Sequence, residues 1–266
     1  MSLRRAATRT ASNSNLLPYA GFRDPSSVTG LLAWYDLSDS SLLATSNAGT
    51  GAVTSGSTVG YAADKSGNGW HLTQGTANNR PTWNGTANGR TVLTFDGTND
   101  VLSSSSAWPL IGDPAFTLFA AHARAVTTSG HPLSWGTRSG GNINITDDHI
   151  ARVGVGLAGN LLLFTNPSAA VNTPQLFSLI RPSKTGYQAA YPTSPFTGYR
   201  NGSLNHFGAA STNTAAGPLN IGLTVGGPSY HNGIICEVLI YSRVLSDLEH
   251  RNVCLWLGGR WGITIT

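Results

Sequence analysis

From Val28 onward, apolar residues recur in short runs, several alternating with polar ones, and Gly, Asn, Asp, Pro and Ser separate the runs. Examples are "GLLAWYDL", "RTVLTFDG", "FTLFAAHARAV", "NLLLFTN", "QLFSLIRP", "PLNIGL" and "IICEVLIYS". A period of two marks strands, because successive side chains point to opposite faces of a sheet. In "FTLFAAHARAV", Phe119, Ala121 and Ala123 share one face while Leu118, Ala120, His122 and Arg124 share the other, which predicts a half-buried strand. Residues 66 to 90, "SGNGWHLTQGTANNRPTWNGTANGR", read as a long turn-rich excursion whose Asn-Gly and Gly-Asn pairs supply positive φ. One helix stands out. Ser246 followed by Glu249 forms a capping box, Asp247 suits the positive N-terminal end, and "LEHRNVCLWLG" runs about three turns to a stop at Gly258-Gly259. As a terminal element it is expected to plug one edge or end of a sheet.

Composition strengthens the all-β reading. Only 11% of the residues are charged, while Gly, Ser, Thr and Asn are plentiful, as in short strands joined by tight turns. The net charge of +4 is uneven: Arg4, Arg5, Arg9 and Arg23 against Asp24 give residues 1–27 a charge of +3, leaving about +1 for the other 239 residues. Residues 1–27 are polar and aperiodic, so alone they bury too little surface to offset the entropy of ordering. They read as an extended anchoring arm, and residues 28–266 as one domain, since no fixed-period repeat divides the chain. Cys236 and Cys254 match no zinc or disulfide framework and are expected to be buried thiols. The N-terminus lacks the apolar run of about 7 to 15 residues of a secretory signal, and no segment reaches the roughly 18 apolar residues of a membrane span. A protein made and kept in a cytoplasm, without a membrane partner, is the expectation.

The C-terminal run "GIICEVLIYSRVLSDLEHRNVCLWLGGRWGI" resembles the closing segment of laminin-G-like, concanavalin A-like jelly-roll domains found in bacterial and phage proteins. The positions that carry the resemblance include Gly233, Ile235, Glu237, Val238, Ile240, Tyr241, Arg243, Leu245, Ser246, Glu249, Val253, Arg260, Trp261 and Gly262. "LLAWYDLSD", "DKSGNGWHLTQ", "FDGTNDVL" and "GYRNGS" look similar to further family pieces and come in the family's order. The resemblance implies a sandwich of two antiparallel sheets with a short C-terminal helix, a fold shared by lectins, glucanases and structural modules.

Candidate chemistry is sparse. A glucanase of this fold would need a strand motif of the type Glu-x-Asp-x-x-Glu to set its carboxylates on one face. Glu237 and Glu249 are the only Glu residues; Glu249 belongs to the helix cap, and Leu239 and Tyr241 follow Glu237 at strand spacing. Asp147 and Asp148 are adjacent and would point to opposite faces, and with His149 they read as a hairpin turn rather than a metal cluster. Asp96, Asn99 and Asp100 form an oxygen-rich loop that would hold Ca2+ in a lectin-like site, although Asx-turn hydrogen bonds by which Asp96 and Asp100 hold a hairpin in shape explain the same residues. Trp70, His71, Trp83, Tyr230 and His231 fall in loop-like stretches and are the glycan-contact candidates; Trp34, Trp256 and Trp261 read as core. The arm lacks interleaved aromatics, which argues against nucleic acid and for docking on a partner protein. These features together predict a non-enzymatic virion structural protein of a phage-like particle, a decoration, head-fibre or tail-fibre subunit. It would be anchored to other virion proteins through Arg4, Arg5, Arg9 and Arg23, form a symmetric homo-oligomer and contact host surface polysaccharide. The competing readings are a stand-alone carbohydrate-binding module and, behind it, a glycoside hydrolase.

Overall fold

The structure, a computed structural model, describes residues 21–104, 108–127, 131–137, 141–147, 151–155, 160–163, 170–182, 196–208, 214–225 and 229–266. Arg4, Arg5, Arg9, Asp148 and His149 lie outside these residues. The strands are β1 (Leu31–Asp36), β2 (Leu43–Ala44), β3 (Tyr61–Ala62), β4 (Leu72–Thr73), β5 (Thr82–Ala87), β6 (Arg90–Asp96), β7 (Leu102–Ser104), β8 (Phe116–Arg124) and β9 (Leu133–Thr137). They continue with β10 (Gly141–Asp147), β11 (Ala151–Val155), β12 (Asn160–Leu163), β13 (Gln175–Arg181), β14 (Phe196–Arg200), β15 (Ser203–Gly208), β16 (Leu219–Ile221) and β17 (Asn232–Tyr241), and helix α1 spans Asp247–Trp261.

Two antiparallel sheets result. The first runs β15-β14-β13-β8-β17-β6-β5, with β1 also on β17; the second runs β12-β11-β10-β9-β16-β7-β4-β3-β2. Alternation sorts each strand between two cores. Ile235, Val238 and Ile240 of β17 enter the core between the sheets beside Phe95, Leu118, Trp135 and Phe177. Cys236, Leu239 and Tyr241 face the other way, into a second cluster with Phe119, Ala121 and Leu176 that is closed by Val253, Cys254, Leu257 and Trp261 of α1. Each large apolar side chain so buried contributes on the order of 1.5–3 kcal/mol. Strand β8 is therefore buried at every position from Phe116 to Arg124, not on one face only, because α1 covers the face expected to meet solvent. Both cysteines are buried free thiols. Of the expected arm, Phe22 packs against the second cluster, the Pro25 carbonyl accepts the Tyr241 hydroxyl at 3.0 Å, and Arg23 is exposed.

Three local expectations are corrected. The turn-rich stretch 66–90 contains β4 and the six-residue β5: Asn88-Gly89, with φ of 45° and 73°, makes the tight turn into β6, whereas Asn84-Gly85 sits in a strand at a register shift. A Cβ on Gly85 would lie 2.6 Å from Ile234 Cγ2, so that glycine serves a close approach. The loop after β6 is not a hairpin, since β6 belongs to the first sheet and β7 to the second; Asp96 to Asp100 carry the chain across. Helix α1 does not stop at Gly258-Gly259 but continues to Trp261, where Gly262 takes a left-handed conformation and donates to the Gly258 carbonyl. Its N-terminus is the expected capping box, Ser246 with Glu249.

Candidate functional site

One polar cluster is sealed beneath α1. A bulge in β17 between Ile235 and Glu237 turns Glu237 toward the helix, where its carboxylate accepts the indole N–H of Trp34 at 2.6 Å and of Trp261 at 2.8 Å. Arg260 Nε stands 3.1 Å from it, as an ion pair rather than an aligned hydrogen bond. Asp36, register partner of Glu237 across β1 and β17, accepts from Lys65 Nζ at 3.0 Å and Arg260 Nη2 at 2.6 Å. Burial and then the Asp36 charge push the Glu237 carboxyl up to about 7, against Arg260 and the two indoles. Burial alone would raise Asp36, but hydrogen bonds from Lys65 and Ser38 and the charges of Arg260 and Lys65 outweigh it and hold this carboxyl below its ordinary range. Two carboxyls with separated ionisation are what acid–base work requires. At 0% and 2% exposure, however, neither can be reached by a glycan, and the cluster ties β1, β17 and α1 together.

The accessible chemistry lies on the outer face of the second sheet. Ala62, Leu72, Leu102, Leu219, Ile221, Leu133, Trp135, Ile143 and Ile145 enter the core, so the residues alternating with them face outward. Register pairs these outward residues in one row across six strands: Tyr61 with Thr73, Thr73 with Ser103, Ser103 with Asn220, Asn220 with Ser134, and Ser134 with Asn144. Ser103 Oγ donates to Asn220 Oδ1 at 2.7 Å, leaving the far end to a backbone cover in which Val225 N–H donates to Ser134 Oγ at 3.2 Å and Asn144 Oδ1 at 3.0 Å. Tyr61, His71, Thr73 and Ser103 remain partly exposed. At the open end the rings of Tyr61 and His71 stand 5.3 Å apart. The Asp64 backbone N–H donates to His71 Nδ1 at 3.0 Å, so the neutral imidazole carries its proton on Nε2 as a donor. Rings at one end and the Thr73 and Ser103 hydroxyls beside them supply a stacking surface and both donors and acceptors, without a formal charge, while Asn220 is buried beneath them with its amide bonded to Ser103 and the Pro218 carbonyl.

The other expected site residues are scattered. Trp70 packs edge-to-face on Trp108 at 5.4 Å and Trp83 rests on the inter-sheet core with its indole nitrogen buried and lacking a hydrogen-bond partner. Tyr230 is half-buried in a bridge with Leu223, and His231 is fully buried beside His122. Asp96 Oδ1 accepts the N–H groups of Thr98 (2.7 Å) and Asn99 (3.2 Å), and Asp100 Oδ2 that of Asp96 (3.0 Å), so both carboxylates are taken up by the loop's own backbone donors. Among the described residues, no group of three His, Cys, Asp or Glu side chains is disposed to hold a metal ion. Among the same residues no helix is long and apolar enough to cross a membrane. Sequence reasoning missed Tyr61, Thr73, Ser103 and Asn220; the available signal was the alternation in "GYAA", "HLTQ" and "PLNIG".

The fold is thus a two-sheet antiparallel sandwich of the jelly-roll kind. No family model matches the chain, and no curated protein matches it in sequence. Solved structures do share the fold. Domain 4 of AbnA, a GH43 extracellular arabinanase from Geobacillus stearothermophilus in complex with arabinotriose, superposes with a TM-score of 0.55 at 12% identity over 84% of this chain and 98% of that one. An arabinofuranosidase complexed with arabinofuranosyl-alpha-1,2-xylobiose gives 0.52 at 17% over 74% and 50%, and a Trypanosoma rangeli sialidase gives 0.53 at 14% over 88% and 33%. The chain therefore spans half of the arabinofuranosidase chain and a third of the sialidase chain. These findings correct two expectations. The structures of like fold named above come from glycoside hydrolases, not virion subunits, so neither the virion reading nor the expectation of a non-enzyme is kept. The physical reason is that a motif within one strand leaves out carboxylates that meet across strands, as Asp36 and Glu237 do from 201 positions apart.

Proposed function

We propose that this chain is a carbohydrate-active sandwich domain that recognises a neutral oligosaccharide on the outer face of the second sheet. The observation that carries the reading is the uncharged cross-strand row from the Tyr61–His71 ring pair through Thr73 and Ser103 to Asn220. A sugar ring offers an apolar C–H face to the aromatic end and hydroxyls to the row, which is the usual division between stacking and orienting groups. The likeness to an arabinanase domain solved with arabinotriose supports it, since this chain matches nearly the whole of that domain. Arabino- and xylo-oligosaccharides are accordingly the first ligands to try.

Affinity measurements on the full chain test the proposal. Tyr61→Ala, which removes the ring, and Thr73→Val, which removes a hydroxyl at constant shape, should each weaken binding about tenfold, or about 1.4 kcal/mol. Unchanged affinity in both variants would refute the face. Release of reducing sugar is followed in the same samples, because the neighbours are hydrolases.

A further inference from the structure

A hollow of ≈ 210 Å³ opens between α1 and β14, on the opposite side of the sandwich from the Tyr61 row; Tyr199, Asp247, His250, Arg251, Cys254 and Ile265 line it. Its floor is held in place before any ligand arrives. His250 Nε2 hydrogen-bonds Ser178 Oγ at 2.8 Å, the imidazole stacks on Phe119 with centroids 5.2 Å apart, and the half-buried Tyr199 ring lies 4.4 Å from it. The floor is also uncharged: burial holds His250 down at about 4, against an upward pull from Asp247, and pushes the Cys254 thiol up to about 12. The rim carries one acid and one base. Asp247 and Arg251 are i,i+4 neighbours on α1, a spacing at which opposite charges commonly pair. Yet neither side chain forms a hydrogen bond or ion pair among the described residues.

A fixed aromatic ring flanked by a free carboxylate and a free guanidinium matches one ligand chemistry closely. The ring covers the C–H face of a sugar, the carboxylate accepts from its vicinal hydroxyls, and the guanidinium donates to its oxygens. The opposite charges cancel, and the volume suits a single ring rather than a chain running through. The geometry points to a second glycan site in this hollow that takes one terminal neutral sugar residue. This inference rests on the carbohydrate reading of the domain, but on none of the same residues. Two sites on opposite faces would let one chain bridge two glycan strands and gain avidity.

Titration calorimetry of the full chain with arabinotriose as the probe tests it. Wild type should bind two molecules per chain. Arg251→Ala, an exposed change outside both cores, should weaken one class of site at least tenfold, while the other class survives until Tyr61→Ala is added. A single class of site that Tyr61→Ala removes and Arg251→Ala leaves intact would overturn the hollow alone. Failure of arabinotriose to bind anywhere would overturn both readings. Loss with Arg251→Ala but not with Tyr61→Ala would uphold the hollow and refute the row.

Discussion

Asp100 shows how a single residue's setting differs from its sequence appearance. Burial, then the neighbouring Asp96 charge, push its carboxyl up to about 6, against the hydrogen bond from the Asp96 N–H. In the unfolded chain it titrates at about 4, so between about pH 4 and 6 the folded state holds a proton that the unfolded state has lost. This group's contribution to stability therefore falls as pH rises through that window and stays low above it. Asp100→Asn keeps an oxygen for the Asp96 N–H and removes the charge. The variant should exceed wild type in urea midpoint at pH 7.5 and lose the advantage near pH 4; an equal difference at both pH values would contradict the assignment. The turn role of Asp96 and Asp100 was legible because Asx side chains act on neighbours two to four residues away. The burial of His231 was not legible. "SYHNG" reads as an exposed loop, and only the pairing of Leu223 with Tyr230 and the bond from His231 N–H to the Gly222 carbonyl draw it inward.

Among elements, α1 separates what local sequence encodes from what tertiary contact imposes. Its start was legible, since Ser246 and Glu249 satisfy each other within one turn, and Arg243 reinforces Glu249 with hydrogen bonds of 2.9 and 2.6 Å. Its end was misread because two glycines look like a stop. A Cβ at Gly258 would lie 2.5 Å from Ile265 Cγ1 and 2.7 Å from the Ile263 carbonyl oxygen, whereas one at Gly259 would meet nothing within 4 Å. Gly258 thus admits the returning C-terminal tail, and Gly259 has no such duty. Helix propensity favours alanine over glycine by about 1 kcal/mol. Gly259→Ala should stabilise by up to that amount, and Gly258→Ala should destabilise by roughly 1–3 kcal/mol through overpacking. Denaturation midpoints of the two variants decide the matter; equal shifts of the same sign would remove the contact argument. The same logic explains β5: Asn84-Gly85 carries turn chemistry, but its glycine is fixed by Ile234 on another strand.

For the whole molecule, the fold was more legible than the function. Alternating runs and the C-terminal segment fix a two-sheet sandwich, because burial on one face leaves a period of two in the sequence and a capping box is local. What the sandwich does depends on which residues become neighbours across strands, and Tyr61, Thr73, Ser103 and Asn220 are brought into one row by register alone. Chemical-shift mapping of the full chain titrated with arabinotriose tests this placement most directly. The account predicts saturable shifts at Tyr61, His71, Thr73, Ser103 and Asn220; saturable binding that leaves all five unmoved would contradict it.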